Sequence, residues 1–461
     1  MDSNITALTT LFTEFYYWVT VVFMFFIHVG FCVYEVGVSR RRNHIHTLMK
    51  NTMLIPLVTI TFFFFGWWIY FALPNGPFIT GGINFEGAKA ARPWDPAMGP
   101  NLQDHINGVF WAAFVLFAWT AASIVSGSTI ERIRSGAFWI FAVIVGSVSW
   151  VVASSWGWHP DGWMVKKLGY HDAYCSGVIH AVAGGFALGV LTVLGPRLAK
   201  FREDGTPRNI PPQNPWLANI GLFLLFAGFW GFYAACNIPI IAAEEIGGQI
   251  TGVNWTATNI YYGPTTLSGI TFNFLMSLSG GMLAAYLASK GNAFWTYSGG
   301  LAGLICASAG NDLYHPLQSM FIGAFGAWAA YRLHGFVERR FKIDDVVGAV
   351  AVHGYAGCLG LVIAGFMLWG QPAAPFDGYA SINPLGQIAG AVIVFGLLGF
   401  LPGWASAKVL SVFGVLRVPG KMELEGLDFE SQEAHDAAVD EVLSAEKTLA
   451  ASGEGEGAVA K

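Results

Sequence analysis

Residues 172–185, DAYCSGVIHAVAGG, and residues 345–358, DVVGAVAVHGYAGC, share one pattern of residue types. In each stretch an aspartate precedes a histidine by eight positions, and Ala and Gly follow that histidine at the third and fourth positions. The histidines, His180 and His353, are five predicted membrane spans apart. Because an odd number of spans reverses the chain direction, the pattern predicts an inverted repeat whose equivalent residues meet near the membrane midplane, as in many transporters.

The paired histidines are the first candidate functional residues. An ionisable side chain inside a span is costly unless it faces a partner or a cavity. One neutral imidazole can donate a hydrogen bond to another, so His180 and His353 can satisfy each other, either in a pore or as a purely structural pair. Asp172, near the outer end of its span, either caps that helix or orients a cation site, whereas Asp345 lies in the basic segment ERRFKIDD.

The composition indicates that the bilayer is the solvent for most of the 461 residues. Apolar residues make up 54% and charged residues 11%, whereas a soluble domain carries roughly 25% charged residues. We therefore predict an all-α polytopic membrane protein with eleven transmembrane helices, an inverted five-plus-five repeat plus one. Each span needs about 20 mostly apolar residues, and the segments that qualify are residues 10–37, 51–73, 107–129, 135–158, 175–196, 216–238, 265–288, 294–310, 314–333, 345–370 and 384–413.

The distribution of basic residues predicts the orientation. Cytoplasmic loops are enriched in Lys and Arg, and an N-out, C-in arrangement places 20 of the 24 Lys and Arg inside. The predicted domains are a transmembrane transporter domain, residues 1–415, and a cytoplasmic C-terminal tail, residues 416–461. The end of that tail, SAEKTLAASGEGEGAVAK, has too little apolar content to pack and is predicted to be disordered.

Enzyme chemistry has no support in the sequence. The five cysteines include no CxxC pair and indicate neither a disulfide framework nor a zinc site. No nucleophile–base pair, metal-ligand cluster or phosphate-binding loop stands out among the remaining residues. We therefore expect a protein that is not an enzyme and that needs no cofactor or metal.

Four stretches together resemble the ammonium transporter family (Amt, Mep and Rh proteins): FKIDDVVGAVAVHGYAG (341–357), ERIR (131–134), YEVGVSRRRN (34–43) and LGPR (194–197). The resemblance covers about residues 10–430 and is that of a divergent prokaryotic-type member. It implies an eleven-helix inverted repeat, a homotrimer with one pore per subunit, and a multi-pass position in the plasma (inner) membrane.

The resemblance also implies roles for individual residues. His180 and His353 match the twin pore histidines, and Asp172 matches the aspartate that supports an outer ammonium site. Phe117 and Phe232 match a stacked phenylalanine gate, although core packing is the alternative, and Trp158 matches a tryptophan of the outer vestibule. Aromatic faces hold a cation with roughly 0.5–2 kcal/mol per contact, and a dry pore disfavours charge. Proton loss to the imidazoles, whose unperturbed pKa is about 6.5, is therefore expected on the way in.

Departures from the family pattern leave the substrate open. Cys236 stands where the family has a serine that accepts a hydrogen bond from ammonium, and a thiol is a weaker acceptor. Tyr233 and His28 replace a usual asparagine and a common glutamine. We expect a channel-like transporter of ammonium or of a small alkylammonium such as methylammonium. The alternatives are an ammonium-binding sensor with little flux and, third, a membrane enzyme or gas channel.

The tail offers one candidate for regulation. Its segment Glu425-Gly-Leu-Asp428 is similar to the family's cytoplasmic regulatory segment. A P-II-type regulatory protein is therefore a candidate partner at the cytoplasmic face.

Overall fold

Long helices dominate the computed structural model, which describes residues 3–76, 79–100, 106–246, 249–428, 440–444 and 447. Among these residues, nine helices are long and apolar enough to cross a membrane. Together with two further helices they are α1 Ile5–Val38, α2 Arg41–Ala72, α3 Asn107–Ser128, α4 Ser135–Gly157, α5 Ser176–Leu194, α6 Pro215–Ala235, α7 Leu267–Ala288, α8 Ala293–Ala307, α9 Pro316–Phe341, α10 Val350–Met367 and α11 Pro384–Val412.

The two helices outside that count, α8 and α9, correspond to the eighth and ninth predicted spans. Helix α8 has only 15 residues, and α9 ends in the charged sequence VERRF. A polytopic helical membrane protein is confirmed, while the count of eleven spans stays a prediction. One loop assignment is wrong: Lys50, counted in the first inside loop, lies buried within α2, with its ammonium 3.6 Å from the carboxylate of Glu35.

Small residues set the helix contacts. An added Cβ at Gly221, Gly228 or Gly231 of α6 would come within 3.0 Å of backbone atoms of α1. Close backbone approach at such residues is how membrane helices associate, because lipid supplies no hydrophobic driving force between them. The glycines of α6 therefore allow it to lie against α1 with almost no side chain between them.

The repeat glycines allow the same kind of contact at the centre of the bundle. A Cβ on Gly184 of α5 would overlap the backbone nitrogen of Gly354 in α10, and a Cβ on Gly357 of α10 would lie 3.2 Å from the nitrogen of Ala181 in α5. In the repeat Gly184 corresponds to Gly357, and Ala181 corresponds to Gly354. Each half therefore makes the same contact with the other half. We call it the glycine crossing.

A three-stranded antiparallel sheet between α6 and α7 was not predicted. It consists of β1 Asn237–Ile246, β2 Gln249–Asn259 and β3 Pro264–Thr265, in that order. The sequence carried a signal for it, because two runs with β-branched residues flank the dipeptide Gly247-Gly248, which is typical of a hairpin. The apolar start of β1 instead extended the predicted sixth span.

Charged residues gather at one end of the bundle, which we call the basic end. Arg197 binds both carboxylate oxygens of Asp344 through Nε and Nη2, at 2.9 and 3.0 Å. Burial by itself raises the pKa of Asp344, but the guanidinium groups of Arg132 and Arg197 outweigh it and hold that pKa well below its usual range. Asp344 therefore stays ionised and ties the segment before α10 to the segment after α5.

The first part of the tail also contacts the basic end. After the short helix α12 (Gly420–Glu425), Asp428 accepts hydrogen bonds from the backbone nitrogens of Ile45 and His46, each at 2.8 Å. These amides belong to the first turn of the α-helical part of α2, where donors lack partners within the helix. The predicted disorder of the distal tail falls largely outside the described residues.

Replacing Asp428 with Ala should release this contact. Loss of a helix cap costs about 0.5–2 kcal/mol, so we expect trypsin to cleave at Lys421 roughly 2- to 30-fold faster in the variant than in the parent protein. The matched control is Asp377→Ala, which changes an exposed aspartate in the loop after α10. Equal cleavage rates in the parent and Asp428→Ala would contradict the assigned contact.

Candidate functional site

The two repeat histidines lie side by side at the centre of the bundle. His180 belongs to the π-helical turn Ser176–Ala181 and His353 to the equivalent turn Val350–Tyr355. Their Nδ1 atoms are 3.1 Å apart and their ring centroids 5.1 Å apart. Because this distance fits a hydrogen bond, the Nδ1 of one ring carries a proton and donates it in a hydrogen bond to the unprotonated Nδ1 of the other ring.

The repeat aspartates hold these π-helical turns in place. Asp172 accepts hydrogen bonds from the backbone nitrogens of Gly177 and Val178, at 2.8 and 2.9 Å. Asp345 does the same for Ala349 and Val350, at 3.0 and 2.8 Å. Each histidine therefore lies eight residues after the aspartate that binds the first amides of its own helix.

Asp172 differs from Asp345 in how its oxygens are used. The two amides and the hydroxyl of Tyr170, at 3.1 Å, all bind the same oxygen, Oδ2. Oδ1 is buried and has no hydrogen-bond partner among the described residues. Capping is therefore established for Asp172, and one oxygen remains available for a cation.

An aromatic column leads from Trp158 to the histidines. The ring centroids of Trp158 and Phe117 are 5.4 Å apart, those of Phe117 and Phe232 are 4.8 Å apart, and those of Phe232 and His180 are 5.3 Å apart. Phe117 and Phe232 meet at 83°, edge to face rather than stacked as predicted. All three aromatic side chains are fully buried, and Trp158 is fixed by an Nε1 hydrogen bond to the carbonyl oxygen of Ala173 at 3.2 Å.

Cys236 lies beside this column, at the end of α6. Its thiol is buried and donates to the carbonyl oxygen of Phe232, with the sulfur 3.2 Å from that oxygen. The S–H therefore already has an acceptor, and the sulfur has only weak acceptor capacity left for a substrate.

Restoring the family's serine should strengthen substrate binding. A hydroxyl at Cys236→Ser would accept a hydrogen bond that the thiol accepts poorly, worth about 0.5–1.5 kcal/mol. We expect the half-saturating ammonium concentration in liposome current recordings to fall about two- to tenfold. Cys306→Ser, a change at a buried cysteine of α8, serves as the control. An unchanged or raised half-saturating concentration in Cys236→Ser would count against a substrate contact at this position.

Two sets of polar contacts near the Trp158 end of the column were not predicted. Tyr233, a departure from the family pattern, accepts from Asn311 Nδ2 at 2.9 Å and its hydroxyl lies 2.6 Å from Ser308 Oγ. His171 binds Asp312 at 3.0 Å within a buried pair. Sequence spacing gave no sign of these contacts, because the partners lie in segments that are far apart in the chain. His28 contacts Trp119, with ring centroids 4.9 Å apart, and not the column residues named above.

Cavities lie at the two ends of the column. One of about 440 Å³ lies at the Trp158 end, which is the outer end in the predicted orientation. It is lined in part by Tyr70 and Phe110 and reaches the column through Phe114, whose ring lies 4.9 Å from Tyr70 and 5.4 Å from Trp158. One of about 390 Å³ lies at the basic end, and a small pocket of about 20 Å³ touches His353. The buried rings therefore separate two wider spaces.

The fold and the site together define a multi-pass helical membrane protein with a histidine pair at its centre. The chain belongs to the Ammonium Transporter Family, which it matches over residues 15–437. It is 30% identical over 434 residues to ammonium transporter Amt2 of Archaeoglobus fulgidus, covering 89% of this chain and 84% of that relative. It is 28% identical over 410 residues to ammonium transporter Amt1 of Methanocaldococcus jannaschii, covering 88% and 92%. These relatives are named as transporters, not as enzymes.

Solved structures share the fold. A sensor Amt protein superposes with a TM-score of 0.75 at 23% identity, covering 92% of this chain and 98% of that chain. The Rh50 protein of Nitrosomonas europaea superposes with a TM-score of 0.60 at 18% identity, covering 96% and 99%. At these identities the likeness establishes the fold alone.

Proposed function

We propose that this protein conducts ammonium, or a small alkylammonium such as methylammonium, along the aromatic column and past the histidine pair. The observation that carries the proposal is the unbroken series of buried rings, Trp158, Phe117, Phe232, His180 and His353, with neighbouring centroids 4.8 to 5.4 Å apart. Named ammonium transporters among the relatives support the same substrate class.

In this proposal the outer residues recruit the cation. Aromatic faces attract ammonium, and the free Oδ1 of Asp172 adds negative charge near the start of α5. Cys236 contributes a weak acceptor beside Phe232. Beyond these groups the passage is dry, and an unpaired charge there costs several kcal/mol.

The histidines take the proton that the cation must leave behind. Nε2 of His180 is buried and has no hydrogen-bond partner among the described residues. In the neutral tautomer that carries its proton on Nδ1, this Nε2 can accept a proton from ammonium. The proton on Nδ1 of His180 then passes across the 3.1 Å contact to Nδ1 of His353. Ammonia and one proton thus continue separately, and each imidazole returns to neutrality when the proton leaves toward the basic end.

The remaining features of the proposal concern assembly and position. We propose eleven spans with the N-terminus outside, a transmembrane domain of residues 1–415 with a cytoplasmic tail of residues 416–461, and a homotrimer in the plasma (inner) membrane. The P-II-type partner predicted for the basic end stays a prediction.

Electrical recording from the reconstituted protein tests transport directly. Full-length protein in liposomes should give saturable currents after pulses of ammonium and of methylammonium, and protein-free liposomes should not. Tight ammonium binding without current would favour the sensor alternative. Absence of both binding and current would overturn the proposal for this substrate class.

A further inference from the structure

The cavity at the outer end, which we call the outer vestibule, is walled by two groups of aromatic rings. In the inner group, Tyr17 lies 5.3 Å from Phe110, between ring centroids. In the rim group, Phe376 lies 6.2 Å from Tyr262 and 5.2 Å from Tyr379. All of these rings line the same space, and it therefore presents several aromatic side chains to a ligand.

The vestibule is far larger than an ammonium ion requires. Its volume is about 440 Å³, whereas a water molecule, which is close to ammonium in size, occupies about 30 Å³ of liquid. An ammonium ion would fill only a small part of this space. A nitrogen that carries four organic groups would fill more of it and would offer more surface to the surrounding rings.

The charges at the vestibule also favour a weakly hydrated cation. Asp161, at the rim, is already bound by Lys166 at 2.7 Å and by the hydroxyl of Tyr379 at 3.2 Å. The ammonium of Lys166 therefore offsets the negative charge that this carboxylate presents to a cation in the vestibule. Burial lowers the pKa of His159 and outweighs the opposite effect of the Asp161 carboxylate, so this lining residue stays neutral and does not repel a cation.

We propose that the outer vestibule binds a quaternary or trimethylated ammonium group against its aromatic rings, and that the bound cation blocks the entrance to the column. Cages of aromatic rings are how proteins recognise such cations. A quaternary nitrogen has no N–H proton to lose, and the Phe117–Phe232 contact of 4.8 Å leaves it no passage. The binding site stands on the vestibule alone, whereas the block rests on the proposed function.

The competing explanation is that the rim rings are an interfacial aromatic belt, which membrane proteins use to contact lipid headgroups. Tyr262 and Phe376 are 51% and 41% exposed, as either explanation requires. Tyr262 has a φ of 64°, a left-handed conformation that costs a non-glycine residue about 1–2 kcal/mol. A large aromatic side chain at such a position fits a ring that has a ligand to contact.

Tetramethylammonium is the probe that separates these explanations. Added outside liposomes, it should reduce the ammonium current saturably and give no current by itself, and calorimetry on the full-length protein in detergent should detect its binding. In Tyr262→Ala and Phe376→Ala the dissociation constant should rise about three- to tenfold. Phe376→Tyr keeps a ring and should bind as the parent does. Tyr286→Ala removes an equally exposed tyrosine, 53% accessible and outside the vestibule lining, and should change nothing.

The outcomes distinguish this inference from the proposed function. Binding of tetramethylammonium in a protein that gives no ammonium current would support the site and count against transport. No binding at millimolar concentration, or binding that Tyr262→Ala and Phe376→Ala leave unchanged, would overturn the site even if ammonium current is robust. Choline and its uncharged isostere 3,3-dimethyl-1-butanol test the contribution of charge, and equal binding of the two would also refute a cation cage.

Discussion

Replacing His353 or His180 with Ala is expected to reduce the saturable ammonium current about 100-fold or more. Proton transfer by a positioned side chain contributes about 10²- to 10⁴-fold to a reaction, and either substitution removes one end of the 3.1 Å contact between the rings. The double variant should lose little beyond either single variant, because groups that act as a unit are not additive. Currents normalised to the reconstituted protein amount provide the measurement.

A matched control is available in another buried histidine. His28→Gln changes a histidine that contacts Trp119, and it should keep the parental current. Thermal unfolding in detergent shows whether each variant is folded. Folded His180→Ala and His353→Ala proteins with parental, saturable current would rule out the histidine relay and leave the pair with a structural role.

Exchanging Asp172 for Asn should reduce the current about tenfold or more while leaving the fold intact. All three hydrogen bonds to Asp172 end on Oδ2, so an amide oxygen placed there can accept every one of them. The negative charge is lost, and the amide nitrogen takes the place of Oδ1, which has no hydrogen-bond partner among the described residues. Thermal unfolding therefore has to show that the variant is folded before a tenfold effect is read as about 1.4 kcal/mol of cation stabilisation. Asp172→Ala should instead destabilise the protein, since each buried donor left without a partner costs about 1–3 kcal/mol.

The equivalent aspartate of the other half gives the contrasting result. Asp345 uses both oxygens, one for Ala349 and one for Val350, so an amide at this position must abandon one of them. We expect Asp345→Asn to lower the free energy of unfolding by about 1–3 kcal/mol, measured as a lower Tm. Parental current in a folded Asp172→Asn protein would show that this carboxylate acts only as a helix cap.

The sequence repeat predicted the central geometry well, for a physical reason. A buried histidine and a capping aspartate each constrain their local backbone. The Asp–His spacing and the small residues after His180 and His353 therefore indicate where the two halves meet at the glycine crossing. The positions of Trp158 and Phe117, by contrast, came from the family resemblance. The edge-to-face contacts of Phe117 with Trp158 and with Phe232 depend on side-chain packing between distant segments, which no single stretch of sequence encodes.

Contacts between distant residues were the part that sequence could not supply. The His171–Asp312 pair joins residues 141 positions apart, and neither neighbourhood carries a recognisable motif. The sheet formed by β1, β2 and β3 was missed because the first apolar residues of β1 continue the hydrophobic run of α6. Lys50 was assigned to a loop because a basic residue near the end of a span is usually a loop residue. In the structure the carboxylate of Glu35 lies close enough to stabilise the buried ammonium within the helix bundle.

The glycine crossing has a consequence for how the passage can open. With backbone against backbone at Gly184 and Gly357, the halves have no compressible layer between them at that level, and rocking one against the other would force main-chain atoms to collide. We infer that the two halves of the helix bundle keep their relative positions during conduction, and that entry of the substrate depends on small rotations of single side chains. Turnover should then be insensitive to cross-links that tie the two halves together, unlike that of a carrier which alternates between two facing states.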